Sequence, residues 1–263
     1  ALEFIPKFFG YGETFTNEEL DNKYNFGYKL NLDPKLFLKT NVNIFKNSNE
    51  TKKVAFCIKD ENYNTFKEIS NVFCSNIETT RGALNYLIES GFNIKRVGEP
   101  LMNNFDFKNR KYEDLTKTKD FLNQFNYTLE TCDFYFGSGA SQGEAVELFD
   151  KRKCIVNTID HMKSSFSYSK FDMMLFKKIF HVKKKQILSI EEIFSSDLFD
   201  HLEVTKKYRN KEIILIENDN NEITDTIKYF LNMDKNNHQL DEINVQYHYL
   251  RKLAVKEKLK NRS

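Results

Sequence analysis

Short apolar runs alternate with amphipathic stretches from Lys53 onwards. A run of four to eight apolar residues bounded by polar or turn residues is typical of a buried strand, and apolar positions spaced by three and four are typical of a helix. These patterns predict strands at residues 54–58, 92–98, 132–136, 154–157, 179–182 and 213–216. They predict helices at residues 77–90, 115–124, 144–150, 190–194 and 222–231.

The alternation of strands and helices predicts the fold class. Strands that alternate with helices form parallel sheets covered on both faces. We therefore expect an α/β, Rossmann-like domain in which the strands at Val54, Ile94, Phe134 and Ile155 lie parallel in one sheet. The predicted helix at 77–90 places its apolar residues on one face, and Gly91 is placed as its C-terminal cap.

The chain divides into three parts. Residues 1–50 lack clear periodicity and are interpreted as a loop-rich N-terminal arm or the remnant of a preceding domain. Residues 51–235 contain the predicted Rossmann-like domain. Residues 236–263 form a basic tail, predicted to be helical, with six Lys or Arg and one Glu between 251 and 262. Such a tail is a solvated helix or a contact for a membrane surface or an anionic polymer.

Composition excludes several classes of protein. Hydrophobic residues make up 40% and charged residues 30%, which suits a globular protein, and a net charge of +2 is too small to favour nucleic acid as a partner. The four cysteines form no Cys-x-x-Cys pair, so neither a zinc site nor a disulfide framework is expected. The chain start lacks a signal-peptide pattern and no apolar run approaches the roughly 20 residues of a membrane span. We expect a cytoplasmic protein, with peripheral contact at the inner membrane face as the alternative that the basic tail leaves open.

The most informative motif is the small-residue turn at residues 137–143, between a predicted strand and a predicted helix. Backbone N–H groups and the positive end of a helix gather in such a turn, and glycine lets a phosphate approach the backbone. The candidates for binding a nucleotide-sugar diphosphate are Ser138, Gly139, Ser141 and Gln142. Glu144 is placed to hold ribose hydroxyls. The alternative is a plain strand-to-helix turn in which glycine only satisfies geometry.

Two further candidates follow predicted strands. Lys59 could neutralise a diphosphate, and Asp60 could accept a proton from an acceptor hydroxyl. Arg96 and Gly98 follow the second strand, and an arginine there suits bidentate phosphate contact. The alternatives are an ordinary polar strand end for the first pair and a surface arginine for the second.

Other enzyme motifs are missing from the sequence. No Asp-x-Asp is present, so we expect no metal on the donor diphosphate and no cofactor beyond the nucleotide-sugar substrate. The turn is neither a Gly-x-Gly-x-x-Gly fingerprint nor a Walker loop.

Several segments together resemble a bacterial family of glycosyltransferases associated with surface polysaccharide biosynthesis. Residues 54–63 resemble the family's strand ending in Val-Arg-Asp, residues 91–98 its Ile-Arg-Met-Gly strand, and residues 132–144 its Cys-Asp-Phe strand and Gly/Ser-rich turn. Residues 75–77 and 83–87 resemble its helix, and further matches follow in order at 168–170, 182–184, 188–196, 215–218 and 222–223, so the resemblance spans roughly residues 50–232. The chain departs from the family at Lys59, which replaces an arginine, and at Phe73 and Cys74, which replace an arginine-rich segment.

The resemblance implies the donor-binding half of a GT-B-type glycosyltransferase. Such a protein transfers a sugar from a nucleotide-sugar to the hydroxyl of a glycan or other acceptor, and a partner chain or domain would supply the missing acceptor half. Lys59 and Asp60 would be the catalytic residues. A non-catalytic nucleotide- or sugar-binding module and a nucleotide-sugar epimerase are the alternatives.

Overall fold

The structure, a computed structural model, describes residues 52–63, 72–118, 120–139, 143, 146, 151–159 and 172–233. Its strands are β1 (Lys53–Cys57), β2 (Asn93–Arg96), β3 (Tyr112–Asp114), β4 (Phe134–Gly137), β5 (Arg152–Thr158), β6 (Met173–Phe176), β7 (Lys178–His181), β8 (Gln186–Ile187) and β9 (Ile213–Ile216). Its α-helices are α1 (Arg81–Glu89), α2 (Phe121–Asn126), α3 (Ile190–Phe194), α4 (His201–Arg209) and α5 (Asn220–Asn232). A 3-10 turn, Ile77–Thr80, leads into α1, and a π-helical turn, Tyr127–Thr131, follows α2.

A parallel sheet organises the main part of the chain. Within the described residues, six strands form it in the order β3-β2-β1-β4-β5-β6, and every neighbouring pair is parallel. This is the strand order of a doubly wound Rossmann sheet, in which the chain direction across the sheet reverses between β1 and β4. The predicted parallel arrangement of the strands at Val54, Ile94, Phe134 and Ile155 is confirmed.

Apolar side chains cover both faces of this sheet. Val54 and Phe56 of β1 belong to a core that includes α1 and α5, and the intervening Ala55 and Cys57 belong to a second core with the α2 region and Val146. Successive residues of a strand point to opposite faces, so a strand buried on both sides must be apolar at every position. The predicted α/β, Rossmann-like fold is confirmed at this level.

A second, smaller sheet follows the parallel one. Strand β7 pairs antiparallel with both β8 and β9. Its own apolar core includes Ile179, Phe194 and Val204, which bring α3 and α4 against it. Strands β7 and β9 were predicted from the sequence, but their membership of a separate antiparallel sheet was not.

Most predicted elements are present, with one boundary wrong. The helix predicted to begin at Leu115 begins instead at Phe121, because the side chain of Asp120 accepts a hydrogen bond from the backbone N–H of Asn123 and caps it there. The sequence did not reveal β3, β6, β8 or α4. The arm at 1–50, the tail at 236–263 and, apart from Val146, the helix predicted at 144–150 lie outside the described residues. No helix in the described ranges is both long and apolar enough to cross a membrane.

Candidate functional site

The ends of β1 and β4 are fixed together at the point where the sheet order reverses. Gly137 has a φ of +152°, and a Cβ built on it would lie 1.8 Å from the carbonyl oxygen of Cys57. The backbone N–H of Ser138 donates to that same oxygen over 2.9 Å, and the hydroxyl of Ser138 accepts from the N–H of Lys59 over 2.7 Å. Ligands of open α/β sheets bind at this kind of crevice. Lys59 and Ser138 therefore meet at this crevice.

The glycines of the turn have different structural tasks. Only glycine fits at Gly137, where the two backbones approach closely. A Cβ on Gly143 would lie 2.4 Å from Cε1 of Tyr135, so glycine lets the chain pack directly on β4. Gly139, between them, is half-buried. Ser141, Gln142 and Glu144 lie outside the described residues, and their roles stay predictions.

Asp60 is buried, and two backbone donors occupy its carboxylate. The side chain accepts from the N–H of Asn62 over 2.9 Å and from the N–H of Asn103 over 2.7 Å. The residue is 4% exposed. These contacts make Asp60 an organiser of the loops that follow β1 and β2. The catalytic-base role predicted for it stays a prediction, and it requires a movement that exposes the buried carboxylate.

Arg96 is fully buried at the end of β2, so the surface alternative is wrong. Its Nη1 donates to Oδ2 of Asp114 over 2.9 Å, and its Nη2 lies 3.9 Å from Oδ2 of Asp60. Two carboxylates from neighbouring strand ends thus compensate one buried cation. Nε and Nη2 find no hydrogen-bond partner among the described residues. Arg96 clamps the ends of β1, β2 and β3, and its direct contact with a diphosphate stays a prediction.

Gly98 serves the packing of the same edge. Its φ is +143°, and a Cβ there would lie 2.5 Å from the sulfur of Met102. Its N–H donates to Oε1 of the buried Gln124 over 2.8 Å. That N–H is therefore engaged within the fold, and the predicted binding role of Gly98 stays a prediction.

The side chain of Lys59 lies among aromatic rings. Its Nζ is 5.3 Å from the ring centre of Tyr63 and 5.9 Å from that of Phe73. Cation–π contacts hold an ammonium group without neutralising it. These contacts place the ammonium group of Lys59 beside the loops that follow β1, and its contact with a diphosphate stays a prediction.

Residues 72–76 cross the same edge of the sheet. The buried ammonium of Lys177 donates to the carbonyl oxygens of Val72 and Cys74 and lies 3.5 Å from Oε1 of Glu217. Burial lowers the pKa of Lys177, and the charge of Glu217 opposes that change. The other oxygen of Glu217 accepts from the N–H of Asn76 over 2.9 Å. This segment is thus fixed from two sides.

Asn157, at the end of β5, has an unusual conformation. Its φ is +54°, and it is 1% exposed. Its Oδ1 accepts from both the backbone N–H and the side-chain amide of Asn218, over 2.8 and 2.9 Å. The amide cannot be turned over, since Nδ2 would then face the N–H of Asn218. Nδ2 has no hydrogen-bond partner among the described residues.

These contacts, together with the pairing of β4 and β5, arrange polar residues in a ring over the ends of β1, β4 and β5. The N–H of Ser75 donates to the carbonyl of Lys59 over 2.8 Å, which joins the 72–76 segment to β1. Ile155 pairs with Gly137, so Asn157 lies level with Gly139 at the end of β4. We name this set of residues the carboxyl-edge ring: Lys59, Ser75, Asn76, Ser138, Asn157, Glu217 and Asn218.

The structure thus brings together part of the predicted site and adds to it. Lys59 and Ser138 are members of the ring, Gly139 borders it, and Asp60 and Arg96 lie beneath the neighbouring loops. Sequence reasoning missed Asn157 as a site residue, although it is the polar residue that ends an apolar strand at the same edge. Ser75 carried no such signal, because it precedes a helix rather than ending a strand.

The described residues offer neither a reactive thiol nor a metal cluster. All four cysteines are free thiols, and burial raises the pKa of Cys57, Cys74 and Cys132 to about 11. At neutral pH these thiols are protonated and therefore poor nucleophiles. No group of three or more His, Cys, Asp or Glu in the described ranges could hold a metal ion.

Comparison with known proteins does not extend this picture. No protein-family model, no curated protein and no solved structure matches the chain. The Rossmann-like fold is therefore supported by the sheet itself, and the glycosyltransferase resemblance by the sequence motifs alone.

Proposed function

We propose that the chain is the donor-binding half of a GT-B-type glycosyltransferase. It binds a nucleotide-activated sugar over the carboxyl ends of β1 and β4 and passes the sugar to a hydroxyl acceptor without a metal ion. The acceptor is a glycan or another hydroxyl compound, and a partner domain or chain completes the site. The observation that carries the proposal is the position of Lys59, Ser138 and Gly139 where the strand order reverses.

The chemistry of the site fits an anionic leaving group. A nucleoside diphosphate leaves with negative charge, which fixed donors and cations stabilise in the transition state. Lys59 supplies a cation beside the turn that begins at Gly137, and its backbone N–H is held by the hydroxyl of Ser138. Arg96 supports this edge from below by fixing the loops after β1 and β2 through Asp60 and Asp114.

A second candidate function is binding without transfer. Asp60, the base predicted from the sequence, is 4% exposed, and backbone donors occupy its carboxylate. A module that lacks an accessible base would bind the nucleotide and leave the sugar on it. The two functions differ in one measurable product, the free nucleotide released from a nucleotide-sugar.

The test compares two lysines that flank β1 (Lys53–Cys57) at its opposite ends. Lys59→Gln removes the cation at the carboxyl end of β1, and we expect affinity for a nucleoside diphosphate to fall about tenfold, the effect of losing one charge-assisted contact. Lys52→Gln is the matched control, since Lys52 lies at the other end of the strand and donates to Ser90. Calorimetric titration gives the affinities, and nucleotide release is followed with the wild-type chain. Equal affinity in both variants would count against the site. Nucleotide release in the presence of the acceptor and the partner domain would favour transfer, and binding without release in that mixture would favour the second function.

A further inference from the structure

We propose that the hydroxyl of Ser75 and the side-chain amide of Asn157 are hydrogen-bond donors to the phosphate oxygens of the nucleotide. This assignment rests on the proposed function, because both residues belong to the carboxyl-edge ring, where that function places the nucleotide. It adds two binding residues to the site and names the part of the ligand that they contact.

Both side chains carry a buried polar atom that the fold does not use. Ser75 is 5% exposed and Asn157 is 1% exposed. Neither Oγ of Ser75 nor Nδ2 of Asn157 has a hydrogen-bond partner in the part of the chain that the structure describes. Buried polar groups are almost always paired in folded proteins, so two unpaired atoms in one ring require an explanation.

The surrounding contacts hold these two residues in place without using those atoms. Ser75 is fixed by its own N–H, which donates to Lys59, and by its neighbours, which Lys177 and Glu217 hold. Asn157 is fixed through its Oδ1, which accepts two hydrogen bonds from Asn218. The side-chain amide of Asn218 in turn also donates to the carbonyl of Phe176. The ring is therefore organised before any ligand arrives.

The chemistry of the unused atoms selects the ligand group. The only acceptor atom of the Asn157 side chain is already engaged, so the side chain offers N–H donors alone. A serine hydroxyl can also donate. A phosphate group has acceptor oxygens and no N–H to give, which matches a ring whose spare atoms are donors. The half-buried Lys59 adds a positive charge on the same ring.

The backbone of Asn157 supports a functional constraint at this position. A φ of +54° is uncommon for residues other than glycine and is concentrated at sites where structure imposes it. The register of β4 and β5 places Asn157 level with Gly139, inside the predicted phosphate turn.

Ser75→Ala is the sharpest test, because the deleted hydroxyl makes no hydrogen bond within the described fold. We expect the melting temperature of the ligand-free protein to stay the same or rise. We expect affinity for the best-bound of UDP, GDP, CDP, ADP and dTDP to fall about tenfold, the effect of one lost hydrogen bond. Ser196→Ala is the matched control, since its hydroxyl bonds the carbonyl of Ile193 near the antiparallel sheet. It should leave affinity unchanged.

Asn157→Asp keeps the acceptor for Asn218 and replaces the donor with a carboxylate oxygen. Repulsion from phosphate should lower the affinity about a hundredfold. If this variant does not fold, Asn157→Gly takes its place, because glycine accepts the φ of +54°. Asn218→Ser leaves the Asn157 donor and removes one of the two hydrogen bonds that hold its side chain, so it should reduce stability and lower the affinity less than Asn157→Asp does.

Each result decides between the claims. Unchanged affinity in the Ser75 and Asn157 variants, with a wild-type chain that binds, overturns the donor assignment and leaves the proposed function standing. An equal loss of affinity for the matching nucleoside overturns the phosphate contact, since the donors would then serve the base or ribose. A folded wild-type chain that binds none of the five diphosphates overturns both the donor assignment and the proposed function.

Discussion

Replacing Gly137 with alanine tests the close approach of β1 and β4 on which the candidate site is built. The added carbon would lie 1.8 Å from the carbonyl oxygen of Cys57, and normal contact begins beyond 3.0 Å. The φ of +152° is a conformation that side chains other than glycine rarely adopt. The backbone strain costs about 1–3 kcal/mol. Moving the carbonyl away also weakens its bond from Ser138, at about 1 kcal/mol.

The sum predicts a loss of about 3–5 kcal/mol in the free energy of unfolding for Gly137→Ala once displacement of the neighbouring strand is included. Gly91→Ala is the matched control, because Gly91 has a φ of +94° and no atom within 4 Å of a built Cβ. It carries the backbone strain alone, and we expect a loss of about 1–2 kcal/mol.

Equilibrium urea denaturation of the two variants and the wild type measures the difference directly. A larger loss at Gly137, by about 2–3 kcal/mol, supports the close approach of the two backbones. Equal losses in the two variants would refute it, and the turn would then need a different geometry from the one described.

Three further predictions concern the buried cation, the buried thiol and metal ions. Arg96→Met should lower the free energy of unfolding by about 3–5 kcal/mol, because it leaves Asp60 and Asp114 without their cation. Lys95→Met removes a partly exposed ion pair with Glu113 and should lower it by about 1 kcal/mol or less. Similar losses for the two variants in denaturant titrations would contradict this prediction. Burial raises the pKa of Cys57 from 9.0 to about 11, so the unfolded chain loses the thiol proton at a lower pH than the folded chain. The contribution of this thiol to the free energy of unfolding is therefore complete below pH 9 and is lost between pH 9 and 11. Melting temperatures across that interval should fall less steeply in Cys57→Ala, and equal slopes would speak against a buried protonated thiol. Chelation by EDTA should leave nucleotide affinity unchanged, and a loss that Mg²⁺ or Mn²⁺ restores would show that a metal takes part.

The central strands could be predicted because a strand buried on both faces of a sheet is apolar at nearly every position. Strand β1 reads Val54-Ala55-Phe56-Cys57 after its first residue, and all four positions are buried. An edge strand has no such requirement. Strand β3, Tyr112–Asp114, pairs only with β2 in the described sheet and contains two acidic residues, so no apolar run marks it. The separate antiparallel sheet was hidden for a related reason, since an apolar run does not say which sheet a strand joins.

The candidate site was predictable where strand ends carry polar residues. Lys59 and Ser138 both follow apolar strands, and parallel strands bring their carboxyl ends to one edge of the sheet. The burial of Arg96 was not predictable, because it depends on Asp60 and Asp114, which only the folded sheet brings near it. The contribution of Ser75 was equally hidden, since its position depends on Lys177 and Glu217 far along the chain.

The most direct test of the proposed function is a calorimetric titration of the wild-type chain with UDP, GDP, CDP, ADP and dTDP, each with and without EDTA. The proposal predicts saturable binding of at least one diphosphate that survives EDTA and that Lys59→Gln weakens about tenfold while Lys52→Gln does not. A folded wild-type chain that binds none of them would contradict a nucleotide-sugar site at the carboxyl ends of β1 and β4.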